Sequence, residues 1–209
     1  MKNKILVLVC LVFYFTLNTL SAQEKLSITE ALAFKKQVKH TAKKTTSIVS
    51  GFIQEKHLSI LENTIISEGI LKFKAPNKVL WEYTKPYENT AIFKGDKLFV
   101  SNEGKTAEIN LNSNRLFRSL NALIVNSVKG DMFDDEEFAI TYFKHPNGFM
   151  VTFQPNNKRL SKFINTFELQ FSKNGEVNSV KLIEPNADFT TISFINKQIN
   201  VPVLNAAFL

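Results

Sequence analysis

The sequence predicts an α+β fold that is mainly β and is built on a single antiparallel sheet. In many short segments of the 209-residue chain, apolar and polar residues alternate with a period of two. This is the pattern of strands that bury one face. Turns marked by Gly, Pro and Asn join these segments as hairpins. Only two segments show helical spacing, so a doubly wound parallel sheet is excluded.

The first 22 residues are predicted to be a secretory signal peptide, which leaves residues 23–209 as one domain. Lys2 and Lys4 precede an apolar run over residues 5–15, and the small residue Ala22 suits the position before a cleavage site. An uncleaved membrane anchor is the alternative. The apolar run is shorter than the roughly 20 residues that a spanning helix needs, which disfavours the anchor.

The only cysteine, Cys10, lies inside this leader. A lipid-modified cysteine follows a small residue, and Val9 is not small, so Cys10 is not expected to carry a lipid. The mature chain is then free of cysteine. This excludes disulfides, thiol nucleophiles and cysteine-based metal sites.

The mature chain is moderately basic. The sequence has 26 Lys and Arg against 19 Asp and Glu, and removal of the leader leaves 24 against 19, a net charge of +5. Basic and acidic residues alternate through the strands, which is typical of a solvated outer face. Contact with anionic partners or head groups is the alternative. Export argues against nucleic acid as a partner.

Residues 27–44 are predicted to form an amphipathic helix. Apolar residues recur there at helical spacing, and Ser27 or Thr29 provides a cap. Lysines in the second half of this helix stabilise it, because positive charge is favourable near a helix C-terminus. A basic docking face is the alternative role of these lysines. A long strand is predicted next, over residues 46–58.

Residues 68–101 are predicted to form four strands with sharp corners between them. Pro76 and Pro86 interrupt the ladder because proline has no N–H to donate, and residues 95–96, Gly-Asp, fit a tight hairpin. The second of these strands has the most apolar face. That face carries Val79, Trp81 and Tyr83.

A second helix is predicted to begin at Asn114 and to stop at Gly130. The acidic segment 131–137 that follows lacks the spacing of a calcium loop, so we expect a solvated turn and no metal site. The apolar stripe of the helix consists of Leu116, Leu120, Leu123, Ile124 and Val128.

Most of the remaining chain is predicted to be strand. Residues 138–144 pair with residues 148–154, and residues 163–172 pair with residues 177–184 across an Asn-Gly turn. Residues 189–196 form a further strand. Hairpins of this kind build an antiparallel meander.

Three sequence motifs identify a family. The pattern G-x-L-x-F-x-x-P-N-x-x-x-W-x-Y-x-x-P over residues 69–86, with the Gly-Asp-Lys hairpin after it, resembles the LolA family of periplasmic lipoprotein carriers. Residues 50–54, Ser-Gly-Phe-Ile-Gln, and the stretch from 188 to 196 fit the same family. The resemblance implies a strongly curved sheet, an unclosed half-barrel, with helices covering its concave apolar face. It also implies that the second helix lies over the mouth of the sheet as a lid.

The resemblance further implies a function. LolA-like proteins hold the acyl chains of lipoproteins and shuttle them from the inner to the outer membrane. The implied partners are the acylated cargo, an inner-membrane ABC-type exporter and an outer-membrane acceptor, with the carrier itself a monomer that needs no cofactor. The alternatives are a carrier of another apolar cargo, such as a glycolipid, and a non-catalytic periplasmic adaptor. A fully packed concave side would indicate the adaptor.

Phenylalanine is abundant, with 19 in the chain and 17 left once the leader is removed. For any single aromatic residue, packing in the core is the ordinary role. A curved sheet with only two helices does not fill its concave side, however, and a cavity results. The candidate acyl-binding residues are Phe52, Leu71, Phe73, Val79, Trp81, Tyr83, Phe99, Phe167 and Phe171, and the candidate lid residues are Leu116, Leu120, Leu123 and Ile124.

Catalysis is not expected. His40, His57 and His145 are far apart in sequence, and neither G-x-S-x-G nor H-E-x-x-H occurs. Glu82 alternates with the aromatic residues beside it, so it points away from them. Convergence of the three histidines in space is the remaining route to an enzyme.

One position departs from the family pattern. LolA proteins commonly have Arg immediately before the Pro of the first motif, where it bonds to the lid helices and keeps the empty cavity shut. This chain has Ala75. Lys74 and Lys78 are the alternatives, although neither matches the position and neither offers the planar fork of Arg.

Ala75→Arg is therefore expected to tighten the lid and to slow the uptake of an apolar fluorescent dye. Stopped-flow comparison of dye uptake by the natural chain and the variant tests this. Equal rates would show that closure is governed elsewhere in the chain.

Overall fold

The computed structural model describes residues 23–95, 97–102, 105–110 and 130–209. These residues contain one α-helix and eleven strands, and all the strands join one antiparallel sheet that is not closed into a barrel. The prediction of a mainly β, α+β half-barrel is confirmed. The elements are α1 (Ile28–Lys44), β1 (Ser47–His57), β2 (Ile65–Lys74), β3 (Lys78–Lys85), β4 (Asn89–Lys94), β5 (Lys97–Asn102), β6 (Lys105–Asn110), β7 (Phe138–His145), β8 (Gly148–Pro155), β9 (Thr166–Ser172), β10 (Val177–Ile183) and β11 (Phe189–Ile199).

The strand order is β6-β5-β4-β3-β2-β1-β11-β10-β9-β8-β7. Every neighbouring pair is consecutive in sequence except β1 and β11, which meet in the middle of the sheet. Two meanders are thereby joined: the first half-sheet, β1 to β6, and the second half-sheet, β7 to β11. The strands β6 and β7 form the two edges of the sheet.

Three strand boundaries differ by three residues from the sequence-based prediction. β2 begins at Ile65 and not at residue 68. β9 begins at Thr166, because Leu160–Lys162 form a short 3-10 helix that leaves Phe163 57% exposed. β11 continues past residue 196 to Ile199, and it does so through a β-bulge. The predicted hairpins between β7 and β8 and between β9 and β10 are confirmed.

The inner face of the sheet is defined here as the face that α1 covers. Directly opposed residues on paired strands share a face, so the register can be followed across the sheet. Phe52 of β1 lies opposite Phe194 of β11, and Ile192 of the same strand lies opposite Val180 of β10. Val180 lies opposite Leu169 of β9. The inner face is therefore apolar through the centre of the sheet.

α1 begins with a capping box, in which Ser27 and Glu30 each satisfy a backbone N–H of the other. Its buried residues are Phe34 and Val38. The Phe34 ring packs against the rings of several aromatic residues, including Phe171 at 5.1 Å between centroids. α1 thus lies on the second half-sheet and leaves most of the first half-sheet uncovered.

Polar contacts hold the helix in this position. The Thr41 hydroxyl donates to the Asn174 carbonyl at 2.6 Å, so the C-terminal part of α1 is tied to the β9–β10 hairpin. Lys35 and Lys39 pair with carboxylates of the acidic segment 131–137, at 3.2 and 3.3 Å. The segment expected to be a solvated turn therefore also supports the helix.

The buried core separates into two clusters. The larger cluster joins α1 to the second half-sheet and includes Phe34, Val38, Phe153, Phe167, Leu169 and Phe171. The smaller cluster lies on β1, β2 and β3 and consists of Phe52, Leu71, Phe73 and Val79. Partly buried side chains on β4 and β11, such as Phe93 and Phe194, pack against this smaller cluster.

Residues 24–26 protect one sheet edge. The Leu26 N–H donates to the Tyr142 carbonyl at 2.9 Å, and the Lys144 N–H donates to the Glu24 carbonyl at 2.7 Å. These bonds occupy part of the free side of β7, which an exposed edge strand would otherwise offer to another chain.

The predicted second helix, with its lid residues Leu116, Leu120, Leu123 and Ile124, falls within residues 111–129, outside the described residues.

Gly69 is needed at a crowded point of the inner face. A Cβ added at Gly69 would lie 2.0 Å from the Glu82 carbonyl oxygen and 2.4 Å from the Phe52 ring. We expect Gly69→Ala to lower the free energy of unfolding by about 2–3 kcal/mol, because the backbone of β3 must move. Thermal and urea melts measure the loss.

Gly51→Ala is the matched control on the neighbouring strand. Its added Cβ would meet the Ile195 side chain at 3.0 Å and no backbone atom closer than 3.7 Å. A smaller loss of stability is expected there. Equal melting curves for both variants would contradict the packing of Phe52 over Gly69.

Candidate apolar binding cavity

A cavity of about 380 Å³ lies between the C-terminal half of α1 and the inner face of the sheet. It exists because α1 packs on the second half-sheet while the first half-sheet also presents an apolar surface. No side chain of the described residues fills the space between the two core clusters. Its apolar walls include Val38 and Ala42 of α1 and, from the sheet, Ile48, Leu71, Val79, Trp81, Ala91, Phe93, Val180, Ile192 and Phe194.

Aromatic rings form the wall on the first half-sheet. Phe52 packs against Trp81 with 4.4 Å between ring centroids and against Tyr83 edge to face at 5.3 Å. The missing side chain at Gly69 makes room for the Phe52 ring. Trp81 also meets Phe194 of β11 edge to face, so the wall continues across β1.

Eight of the nine predicted residues divide into three groups in the structure. Leu71, Val79, Trp81 and Tyr83 line the cavity together. Phe52 and Phe73 are buried in the cluster behind this wall, only 1% and 2% exposed, so they support the lining residues. Phe167 and Phe171 lie in the other cluster, against Phe138 and Phe34 respectively.

Phe99 lies on the opposite face of the sheet. The β4–β5 register places Phe99 opposite Ile92, whereas Leu98 lies opposite Phe93, which lines the cavity. Neighbouring residues on a strand point to opposite faces. Leu98 and Val100 therefore occupy the inner face of β5, and Phe99 does not.

Several lining residues were missed by the sequence-based prediction. Ile192 and Phe194 alternate along β11, and this period-two pattern was available as a signal. The contribution of Thr41, Ala42 and Thr45 depends on where α1 docks, which local periodicity does not specify.

The hydroxyl groups that line the cavity all donate within the protein. The Thr45 hydroxyl donates to the Thr41 carbonyl at 2.9 Å, and the Ser50 hydroxyl donates to the Ile195 carbonyl at 2.9 Å. The Tyr83 hydroxyl donates to the Gln54 side chain at 2.8 Å, and burial raises the pKa of Tyr83. These groups are satisfied, so they leave the cavity predominantly apolar.

Lys197 and Glu176 are the exceptions, since they bring charges to the cavity wall. Lys197 is the more enclosed of the two. Its side chain is 15% exposed, its ammonium donates to the Val177 carbonyl at 2.6 Å, and Glu176 lies 3.6 Å away. Burial lowers the pKa of Lys197, and the Glu176 carboxylate opposes that shift. Lys197 could not be predicted as a lining residue, because plain alternation from Phe194 places it on the outer face.

Neither alternative cation for position 75 faces the cavity. The Lys74 ammonium donates to the Val203 carbonyl at 2.7 Å, and the Lys78 ammonium donates to the Asn205 side chain at 3.3 Å. Both lysines therefore hold the C-terminal segment. Ala75 itself is exposed in the β2–β3 turn.

The described residues contain no cluster of three His, Cys, Asp or Glu that could hold a metal ion. The histidines do not converge: His57 stacks on Phe189, while His145 accepts from the Asn147 N–H in the β7–β8 turn. The buried carboxylate of Asp188 accepts from the Ser59 N–H at 2.6 Å, and this backbone bond lowers its pKa. Asp188 therefore links the loop after β1 to the loop before β11.

No helix in the described part of the chain is both long enough and apolar enough to cross a membrane.

Comparison with known proteins gives consistent results. The sequence model of the family described as "Outer membrane lipoprotein carrier protein LolA" matches residues 43–209. Two relatives named outer-membrane lipoprotein carrier protein come from Francisella tularensis subsp. tularensis (strain WY96-3418) and subsp. novicida (strain U112). Each is 22% identical over 211 residues, which cover 97% of this chain and 90% of the relative.

A solved structure shares the fold. The Pseudomonas aeruginosa MucA/MucB complex contains a chain that matches with a TM-score of 0.50 and 7% identity, over 86% of this chain and 60% of that one. At this identity the likeness concerns the architecture of the chain alone.

Filling the cavity is expected to reduce its capacity for an apolar probe. Ala91 lines the cavity opposite Trp81, so Ala91→Phe places a ring in the open space. Binding of an apolar fluorescent dye should weaken by about tenfold, which corresponds to about 1.4 kcal/mol. The control is Thr90→Phe, which adds the same ring on the opposite face of β4. Equal dye binding by both variants would show that the dye binds elsewhere.

Proposed function

Because the chain belongs to the LolA family of outer membrane lipoprotein carrier proteins, we propose that it is a periplasmic carrier of acylated lipoproteins. In this proposal it holds the acyl chains of its cargo in the apolar cavity and moves them from the inner to the outer membrane. The unfilled cavity between α1 and the first half-sheet carries the proposal.

The capacity of the cavity can be compared with an acyl chain. A methylene group fills about the volume of a water molecule, roughly 30 Å³, so 380 Å³ holds about a dozen methylenes. At about 0.8 kcal/mol for each methylene removed from water, one such chain supplies on the order of 10 kcal/mol before the entropy lost on binding. The cavity is therefore large enough for at least one such chain.

The same energetics explain how the cargo is passed on. Apolar burial is not directional, so a chain leaves the carrier when another protein offers a larger or drier apolar surface. The described site needs no bond making or breaking for this exchange. The proposed donor is an inner-membrane ABC-type exporter, and the proposed recipient is an outer-membrane acceptor.

The proposed location follows from the leader. Residues 1–22 direct export and are removed, and the mature carrier acts in the periplasm as a monomer. The unfilled inner face disfavours the alternative of a structural adaptor. A LolA-like carrier of another apolar cargo, such as a glycolipid, remains the second candidate, because Ala75 replaces the family arginine and neither Lys74 nor Lys78 compensates.

Trp81→Glu tests the assignment of the cavity. If Trp81 lines a binding cavity, a carboxylate at its wall is partly solvated in the empty state, so the fold should survive. Binding of a fluorescent acylated peptide should be lost by at least tenfold, because the carboxylate must be desolvated when the chain enters. Circular dichroism, a thermal melt and a binding titration measure these effects.

Tyr87→Glu is the control, since Tyr87 is 82% exposed in the turn after β3. It should bind acylated peptide as the natural chain does. Two results would contradict the proposal: a Trp81→Glu variant that unfolds, which indicates packed core, or one that still binds the acylated peptide normally.

A further inference from the structure

A β-bulge turns Lys197 into the cavity. Ile195 pairs with Gly51 of β1, and Gln198 pairs with Val49, so β11 has one more residue than β1 over this interval. The backbone accommodates the extra residue at Asn196, whose φ of 51° lies in the left-handed region that Asn tolerates. Bulges re-aim side chains in this way. The bulge reverses the alternation after Phe194, and the lysine reaches the inner face.

The sheet is open beside this lysine. β10 pairs with β11 only from Ser179 onward, and beyond Ser193 β11 pairs with β1 alone. Lys197 spans the resulting gap, where its ammonium donates to the Val177 carbonyl. The charge therefore sits where the apolar wall of the cavity is interrupted.

A polar pocket adjoins the cavity at this gap. Thr41, Thr45, Glu176 and Ile199 line both spaces, so they form a shared boundary. The far side of the pocket is polar and basic, and it includes His40, Lys44, Asn174 and Asn200. No carboxylate of the described residues lies within 4 Å of the Lys44 ammonium.

The ammonium of Lys197 makes one short hydrogen bond and two long contacts. It carries three N–H donors, and the bond to the Val177 carbonyl is 2.6 Å long. The contact to the Asn178 side chain is 3.4 Å, and the distance to Glu176 is 3.6 Å, which is beyond a good hydrogen bond. The hydroxyls of the described cavity wall, in contrast, all donate to protein acceptors.

We propose that Lys197 forms an anion subsite of the cavity, which binds a carboxylate or phosphate at the head of a ligand whose acyl chain lies against Trp81 and Phe93. This inference rests on the proposed function in requiring the cavity to bind an acyl chain. The ester- and amide-linked chains of a lipoprotein carry no free anionic head, so the ligand of this subsite belongs to the second candidate class, another acyl-bearing cargo. It adds the orientation of the chain: the head lies at the gap between β10 and β11, and the tail points toward the first half-sheet.

In this proposal, Glu176 is the partner of the Lys197 ammonium when no ligand is bound. A buried charge is stable only when it is paired, and Glu176 supplies that partner at a loose distance. An anionic head group then replaces Glu176 as the partner of the ammonium. Removing the carboxylate should leave the lysine without competition and strengthen anion binding.

Three ligands with the same chain and different heads test the subsite: dodecanoate, dodecyl phosphate and dodecanol. Their affinities are measured by displacement of an apolar dye from the mature protein. The natural chain should bind at least one of the anions about tenfold more tightly than dodecanol. Comparison of the two anions identifies whether the site prefers carboxylate or phosphate.

The variants assign the preference to Lys197. Lys197→Met should abolish the tenfold preference for the anion over dodecanol, while Lys197→Arg should retain it. Glu176→Gln should raise the affinity for the anion. Lys173→Met removes a charge from an exposed position beside the β9–β10 turn, and it should change nothing if the effect is local.

The outcomes are separable. Equal affinity of the three ligands for the natural chain overturns the subsite and leaves the carrier function intact, and so does an anion preference that survives Lys197→Met. Failure of all three ligands to displace the dye contradicts the proposed function itself. If Lys197→Met does not fold, the comparison of head groups in the natural chain and the Glu176→Gln result decide the matter.

Discussion

The packing of α1 on only one half of the sheet is the constraint on which the site depends. Phe34 and Val38 are buried against the second half-sheet, and a hydrogen bond from Thr41 joins the C-terminal part of α1 to the β9–β10 hairpin. The apolar face of the first half-sheet is left without a partner among the described elements. A cavity between the two core clusters follows from this arrangement.

Much of the fold could be predicted because strand alternation and turn chemistry are local properties of the sequence. The placement of Val79, Trp81 and Tyr83 on one face needed no knowledge of the rest of the chain. The position of Phe171 in the helix-covered core could not be predicted, since it depends on which half-sheet α1 covers. Phe99 was misplaced because hairpin register decides the face, and a shift of one residue reverses it.

The chemistry of the cavity fits the proposed binding of an apolar chain. Its wall is apolar, its hydroxyls are occupied within the protein, and its charged pair is placed at the boundary with a polar pocket. Lys197 reaches that boundary only through a β-bulge, a feature that pairing of distant strands creates. Family membership indicates the class of cargo, while the position of this charge bears on which molecules within that class are accepted.

In the proposed function, acyl chains bind against the wall that contains Trp81, and this residue is the only tryptophan in the chain. A dodecanoate brominated near its methyl end quenches tryptophan fluorescence only at close contact, so the measurement reports on this wall alone. Saturable quenching at the concentrations that displace an apolar dye is the result predicted here. Dye displacement without any quenching would show that the acyl chain binds away from Trp81, and it would contradict the proposed site.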